Sequence, residues 1–377
     1  MSNMPDLIIK EVITRKELRD FIYLPSRVHK NDPAWLPPIY NDEWELYDKN
    51  KNKSFQYADA VLYLAYRGEK PVGRIMGIIN NRYNSIKNEK NGRFCFMECF
   101  NDREVFSALI KKVEDWAKSK GMVKVVGPLG FSDKDPQGFQ IEGFDQPQIL
   151  ATATNYPYMN ELIVNEGYTK EVDLVDYVIK TPEKLPPVYL KVFEKVSALD
   201  EFKIIEFRTK KELKPMIIPV LELMNQTFAD IYGFVPLNDR EKKELAARYL
   251  PIIDPEFVKM VSTKEGPVGF IIGMPDISQG IRRANGKLFP FGILKILKEL
   301  KSSRRLILLL GGITKPYRGQ GLDILMAVRI LETCIRRKIE FIDSHLILET
   351  NTRMRSEYER VGGNVVKRFR IYQKPLV

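Results

Sequence analysis

Two periodicities alternate along this chain. Apolar runs of strand length are separated by stretches in which apolar residues return every three or four positions, as on one face of a helix. In the first half the pattern predicts a strand over 7–13, a helix over 17–24, a strand pair over 60–67 and 71–80 turning at Gly68-Glu69-Lys70, and a strand over 93–98. A helix over 103–120, a strand over 123–126, a helix near 158–166 and a strand over 174–179 follow. A proline-containing break beginning Thr181-Pro182 then interrupts the pattern. Beyond it the order returns: a strand over 203–208, helices over 213–228 and 239–249, strands over 257–262 and 267–274, and an inserted helix near 291–300. A strand over 304–313, a helix over 320–337, a strand over 341–348 and a last helix complete the series. The chain therefore reads as an α/β protein of two tandem domains, 1–182 and 203–377, with a linker over 183–202. Its length, 377 residues, suits two cores better than one.

Residues 313–323, Ile-Thr-Lys-Pro-Tyr-Arg-Gly-Gln-Gly-Leu-Asp, carry the densest chemical signal. The run Leu306-Ile307-Leu308-Leu309-Leu310 before them suits a strand buried on both faces. After them Leu322, Leu325, Met326, Val328, Leu331 and Ile335 mark the apolar stripe of a helix whose last turn holds Arg336, Arg337 and Lys338, where cations oppose the dipole. The positive end of that helix falls at Arg318-Gly319-Gln320-Gly321. The first N–H groups of a helix lack internal partners, and glycines allow close approach, so a phosphate or diphosphate fits there. A tight strand-to-helix turn with no ligand is the plainer reading of the two glycines.

Pro316-Tyr317-Arg318-Gly319-Gln320-Gly321-Leu322 resembles the acetyl-CoA pyrophosphate loop of the GNAT superfamily of N-acyltransferases. Asp323 departs from the small residue expected at the end of that pattern. About 30 residues on, Asn351, Tyr358 and the Gly362-Gly363 helix end resemble the superfamily's second motif. Each half matches the GNAT order of elements, a mixed, mostly antiparallel sheet flanked by helices, and tandem copies also occur in mycothiol synthase and the Fem peptidyltransferases. The resemblance implies that Gly312, Ile313, Arg318, Gly319, Gln320, Gly321, Leu322 and Asp323 hold acetyl-CoA or another acyl-CoA. It implies Tyr358 as the acid that protonates the departing thiolate and Asn351 as a holder of pantetheine or water. Glu349 is the candidate base, acting through water on an amine acceptor that is a small molecule or a peptide. The first copy has Asn101-Asp102-Arg103-Glu104 in place of the cradle, with Asp102 reading as a helix N-cap, and Ile163 stands opposite Tyr358. It is expected to be non-catalytic. Two other readings remain open: a CoA-binding pseudoenzyme, which Asp323 favours, and a Fem-like transferase using aminoacyl-tRNA.

Composition narrows the field. The net charge of +11 is dispersed along the chain, so nucleic acid is not expected as a partner although a polyanionic cofactor is compatible. No apolar stretch is long enough to span a bilayer, and neither a membrane partner nor export is expected; the reading is a cytoplasmic bacterial protein. Three separated cysteines and two histidines give no material for a metal site or a serine–histidine triad. His29 reads as a loop hydrogen-bonder and His345 as a core histidine. Residues 24–38 and 127–145 form loops that the repeat does not explain; the second either covers the sheet or lines an acceptor site between the halves. The loop 228–238, with Tyr232, Phe234 and Pro236, is a further determinant of the acceptor.

Overall fold

Strands form where the apolar runs are, and in the computed structural model, which describes residues 5–150 and 152–376, they join one mixed sheet of 13 strands. In the first half these are β1 (Leu7–Glu11), β2 (Ala58–Arg67), β3 (Lys70–Asn80), β4 (Asn91–Cys99), β5 (Lys124–Gly127), β6 (Phe139–Glu142) and β7 (Thr169–Lys180). In the second they are β8 (Lys203–Glu206), β9 (Val258–Thr263), β10 (Gly266–Pro275), β11 (Arg305–Ile313), β12 (Phe341–Leu348) and β13 (Asn364–Pro375). Helices cover the sheet. In the first half Arg15–Val28 and Arg103–Ser119 bury Phe21 and Ile22, and Phe106, Leu109 and Val113, in separate apolar clusters. In the second half Ile217–Thr227 packs one cluster and Leu322–Arg336 two others.

The sheet order is β1-β2-β3-β4-β5-β13-β7-β12-β11-β10-β9-β8, with β6 paired to β13. Each half repeats four antiparallel strands followed by a parallel neighbour, β4 with β5 and β11 with β12. The last strands are exchanged. β7 closes the second half by pairing with β12, whereas β13 closes the first half by pairing with β5. The seam is the antiparallel β7–β13 pair, where Arg370 opposes Asp173 and grips its carboxylate at 2.8 and 3.0 Å. The sheet thus does not divide at residue 182. The segment expected as a linker contains a helix, Pro187–Ser197, started by a proline at its first turn, and Val192 and Val196 pack against Leu322, Leu325 and Met326.

Candidate functional site

β11 and β12 run together only briefly. Arg305, Leu306 and Ile307 oppose Phe341, Ile342 and Asp343, and the pairing then stops. A bulge at Leu309, seen as a register shift against Ile272 and Gly273, bends β11 away. On the other side β12 bulges as well, since Ser344 and His345 together oppose Tyr177 of β7. Between the diverging strands lies a cavity of about 1160 Å³. The expectation that the 304–313 strand is buried on both faces holds only for Leu306 and Ile307. From Leu308 onward the strand is half-exposed because it walls this cavity. Alternate N–H and C=O groups of that stretch have no strand partner on the β12 side, which leaves them to a ligand.

At one end of the cavity β11 leads through a short 3₁₀ turn, Lys315–Tyr317, into Arg318 and the helix Leu322–Arg336. Gly321 takes the N-cap position with φ of 83°, and no side chain caps the helix from there. A Cβ on Gly321 would lie 2.9 Å from Val196 and 3.1 Å from Val192, so glycine serves both the left-handed turn and the close helix contact. Arg318 lines the cavity and donates from Nε to the Ile313 carbonyl at 2.9 Å. Asp323 also lines it, and its Oδ1 accepts the Ile324 N–H at 3.1 Å. One orphan donor of the first turn is therefore already occupied by a carboxylate. Gly312 and Ile313 are on the wall; at Gly312 a Cβ would lie 2.5 Å from the Thr227 hydroxyl, so a side chain there would collide with the helix Ile217–Thr227. Gly319, Gln320, Gly321 and Leu322 shape the turn from outside the cavity. Gln320 donates to the Pro316 carbonyl, and Leu322 is fully buried in the core.

Asn351 and Tyr358 belong to the opposite wall. Asn351 caps the helix Thr352–Arg360, its Oδ1 accepting the Met354 N–H at 3.2 Å. Tyr358 stacks on Tyr177 at 5.7 Å, and burial, with the nearby Asp343 and Asp176 carboxylates, pushes its phenol well above the ordinary range. It is therefore protonated at neutral pH and stands as a donor. Glu349 is not on the cavity wall. Its carboxylate takes the Lys170 ammonium at 2.6 Å and the Asp173 N–H at 3.1 Å, tying β12 to β7.

Two wall residues carry no motif. His345, expected in the core, is half-exposed on the cavity with φ of 58°, a conformation rare for a non-glycine residue. The bulge holds it there: Ser344 Oγ accepts the Tyr177 N–H at 2.9 Å and donates to the His345 carbonyl at 2.7 Å, while Asp343 Oδ1 accepts the His345 N–H at 3.2 Å. Arg353, in the first turn of its helix, also lines the cavity, with its guanidinium 3.9 Å from the Cβ position of Gly319. It adds a second cation to Arg318. Sequence signals were weak for both; the left-handed histidine depends on the Tyr177–Ser344 hydrogen bond, which spans 167 residues of chain.

The corresponding opening in the first half is filled by its own chain. β4 and β5 separate after Arg93 and Val126, but Leu129 donates its N–H to the Phe94 carbonyl at 2.9 Å, and Leu129 and Phe131 are buried. Asp102 caps the helix Arg103–Ser119, as its position in the sequence predicts, and Arg67 is paired with Asp102 and Glu104. In the 127–145 loop Phe131 packs in the core, while Ser132, Asp133 and Lys134 line the cavity. Tyr232 lines the cavity too, whereas Phe234 is core.

The architecture is that of tandem GNAT proteins. The tandem GNAT protein from the clavulanic acid biosynthesis pathway superposes with a TM-score of 0.55 at 10% identity, covering 99% of each chain. A GCN5-related N-acetyltransferase from Sphaerobacter thermophilus gives 0.55 at 14%, covering 99% of this chain and 97% of that one. In sequence the chain is similar to Protein YghO of Escherichia coli K12, 28% identical over 376 residues, 98% of this chain and 95% of that protein. It is also similar to Bacterial ceramide synthase of Caulobacter vibrioides, 27% identical over 384 residues, 100% of this chain and 99% of that protein. No family model matches the chain.

Proposed function

We propose that the protein is an acyl-CoA-dependent N-acyltransferase whose acceptor is an amine bearing a long apolar chain. The observation that carries the reading is the β11–β12 opening: one cavity joins an uncapped helix N-terminus with Arg318 and Arg353 to an unpaired strand edge, a protonated phenol and an imidazole. Acyl-CoA, when bound, supplies a thioester whose carbonyl carbon accepts the amine nitrogen as the C–S bond breaks. Arg318, Arg353 and the first-turn N–H groups fit its phosphates. Unpaired N–H groups of the 308–313 stretch are placed to hydrogen-bond the thioester oxygen, on which negative charge develops. Tyr358 donates a proton to the departing thiolate. His345, an imidazole on the cavity wall, is the better placed proton acceptor for the amine, because Glu349 lies off that wall and binds Lys170.

The acceptor class rests on the cavity's extent and lining. Beyond the wall residues it continues between Ile217, Leu221, Leu245 and Phe270, an apolar chamber larger than a small hydrophilic amine requires. The name of the Caulobacter relative, a ceramide synthase, supports an N-acylated product of lipid character. Asp323 supports the competing reading of a silent CoA site, since its carboxylate already holds the Ile324 N–H. Calorimetric titration with acetyl-CoA, a long-chain acyl-CoA and CoA tests both. Binding lost in Arg318→Glu, followed by thiol release on adding a long-chain amine, is the expected result. Absence of binding by all three would leave the silent-site reading in place, and binding without thiol release would leave a CoA-binding pseudoenzyme. Arg318→Glu is the cleaner control than a Gly321 substitution, which would push against Val192 and Val196.

A further inference from the structure

Between β10 and β11 the chain inserts a helical hairpin, Ser278–Ala284 and Gly292–Ser302. Its inner face is well anchored. Ile281, Ile296 and Leu300 pack with Leu36 and Ile39, and Arg282 donates to the carbonyls of Pro33, Ala34, Trp35 and Gln148. The outer face is apolar where a soluble surface would be polar. Phe289 is 74% exposed, Phe291 68%, Leu294 61% and Leu297 41%. Scattered single apolar residues are ordinary on a surface, but two phenylalanines and two leucines on one hairpin form a patch.

Charge surrounds that patch. Residues 282–304 hold seven basic residues against one acidic, +6 of the chain's +11. The one acid, Glu299, is paired with Arg283. Lys287, Lys298 and Lys301 are exposed and make no ion pair among the described residues. On the helix Gly292–Ser302, Lys298 and Lys301 flank Leu294 within the outward arc, at the spacing of four and seven residues that keeps them on one face. Exposed aromatic and leucine side chains set among unpaired lysines are the composition of a segment that lies in a membrane interface rather than across it. No helix among the described residues is long and apolar enough to cross a bilayer.

We propose that this hairpin docks the protein on the surface of an anionic lipid bilayer, with Phe289, Phe291, Leu294 and Leu297 entering the boundary between headgroups and acyl chains and Lys287, Lys298 and Lys301 facing lipid phosphates. A second copy of the chain is a poorer occupant, because apposing two such faces brings two +6 segments together. The inference stands apart from the acyl-transfer reading, although the two meet in the chain path. The Leu36–Ile39 segment beneath the hairpin continues into the helix Tyr40–Leu46, whose Asp42, Glu45 and Leu46 line one end of the cavity. Docking would bring that end close to the bilayer.

Co-sedimentation of the full chain with vesicles tests it, using phosphatidylcholine alone and an equimolar mixture of phosphatidylcholine and phosphatidylglycerol. The expected result is binding to the mixture that falls with added salt and is weak on phosphatidylcholine. Lys298→Glu with Lys301→Glu should weaken it by roughly tenfold or more, each lysine near an anionic surface being worth about fivefold. Phe289→Ser with Phe291→Ser should abolish it while leaving the thermal melt unchanged, since both rings are exposed. Equal binding by the Phe289/Phe291 variant, no binding to either vesicle, or a concentration-dependent dimer dissolved by the same substitutions would overturn the proposal.

Discussion

The His29 imidazole lies between the rings of Trp35 and Tyr156, stacked at 5.5 and 5.0 Å, with Nδ1 3.3 Å from Asp32 and Nε2 3.1 Å from Glu98. Burial alone would push its pKa down, but the two carboxylates win and hold it above the ordinary value. A raised folded pKa means that the contribution to stability is fully present below the unfolded value of about 6.5 and is lost as pH rises through the folded one. The melting temperature should therefore decline as pH is raised from mildly acidic to mildly alkaline. His29→Gln should lower it and remove that part of the slope; an unchanged slope in the variant would show that another group titrates. At the candidate site, His345→Asn preserves a residue tolerant of positive φ while removing the proton acceptor. Turnover should fall by roughly 10²-fold with acyl-CoA affinity retained; undiminished turnover would remove the role. Tyr358→Phe should lower turnover comparably without altering acyl-CoA affinity. Arg318, Asn351 and Tyr358 could be found from motif spacing because each sits at a helix start or on a helix face. Ser344, His345 and Arg353 could not, since their position depends on a bulge set by β7 and on two helix ends meeting across the cavity.

Helices and strands were legible wherever periodicity was local. The helix Leu322–Arg336 and the strand β11 fall within two residues of their expected limits, and the inserted helix Gly292–Ser302 within two of its own. What the pattern does not contain is which strand each last strand chooses. The strand Asn364–Pro375 lies beyond the last expected element, and nothing in the alternation along it or along Thr169–Lys180 names a partner strand. The choice is recorded in cross-strand contacts. Lys170 with Glu349, Tyr177 with Ser344 and Tyr358, and Asp173 with Arg370 all link β7 to second-half residues. Burial alone raises the Asp173 carboxyl, yet the hydrogen bonds from Arg370 and Lys170 hold it below the usual range. Its contribution is thus present above the unfolded carboxylate value of about 3.9 and lost as pH falls through the folded one. Arg370→Met should cost about 2 kcal/mol at neutral pH in chemical unfolding, discounted from the 3–5 of a fully buried broken pair because Arg370 is partly exposed and Lys170 remains. The deficit should shrink in acid as Asp173 protonates; a pH-independent deficit would point to lost packing instead.

At the scale of the molecule the exchange changes what the first half is for. Its own strand opening is plugged by Leu129 and Phe131, so it offers no second cradle, but it lends β7 to the wall of the other site. Tyr177 backs Tyr358 and opposes the His345 bulge, and Lys170 removes Glu349 from the reacting groups. A first half that had merely lost its chemistry could be cut away; one that supplies a strand to the wall of the candidate site cannot. Expressed together as separate chains, 1–182 and 183–377 should associate and restore acyl-CoA binding, because β13 fills the space between β5 and β7 and β7 covers the edge of β12. Expressed alone, 183–377 leaves β12 without its antiparallel partner and Tyr358 without its stacking ring, so it should bind acyl-CoA poorly and tend to self-associate through the open edge. Size-exclusion chromatography of the co-expressed pair, with calorimetry on each species, separates the possibilities. Two monomeric fragments that ignore each other, the second still binding acyl-CoA with full affinity, would mean that each final strand can return to its own half and that the exchange is dispensable.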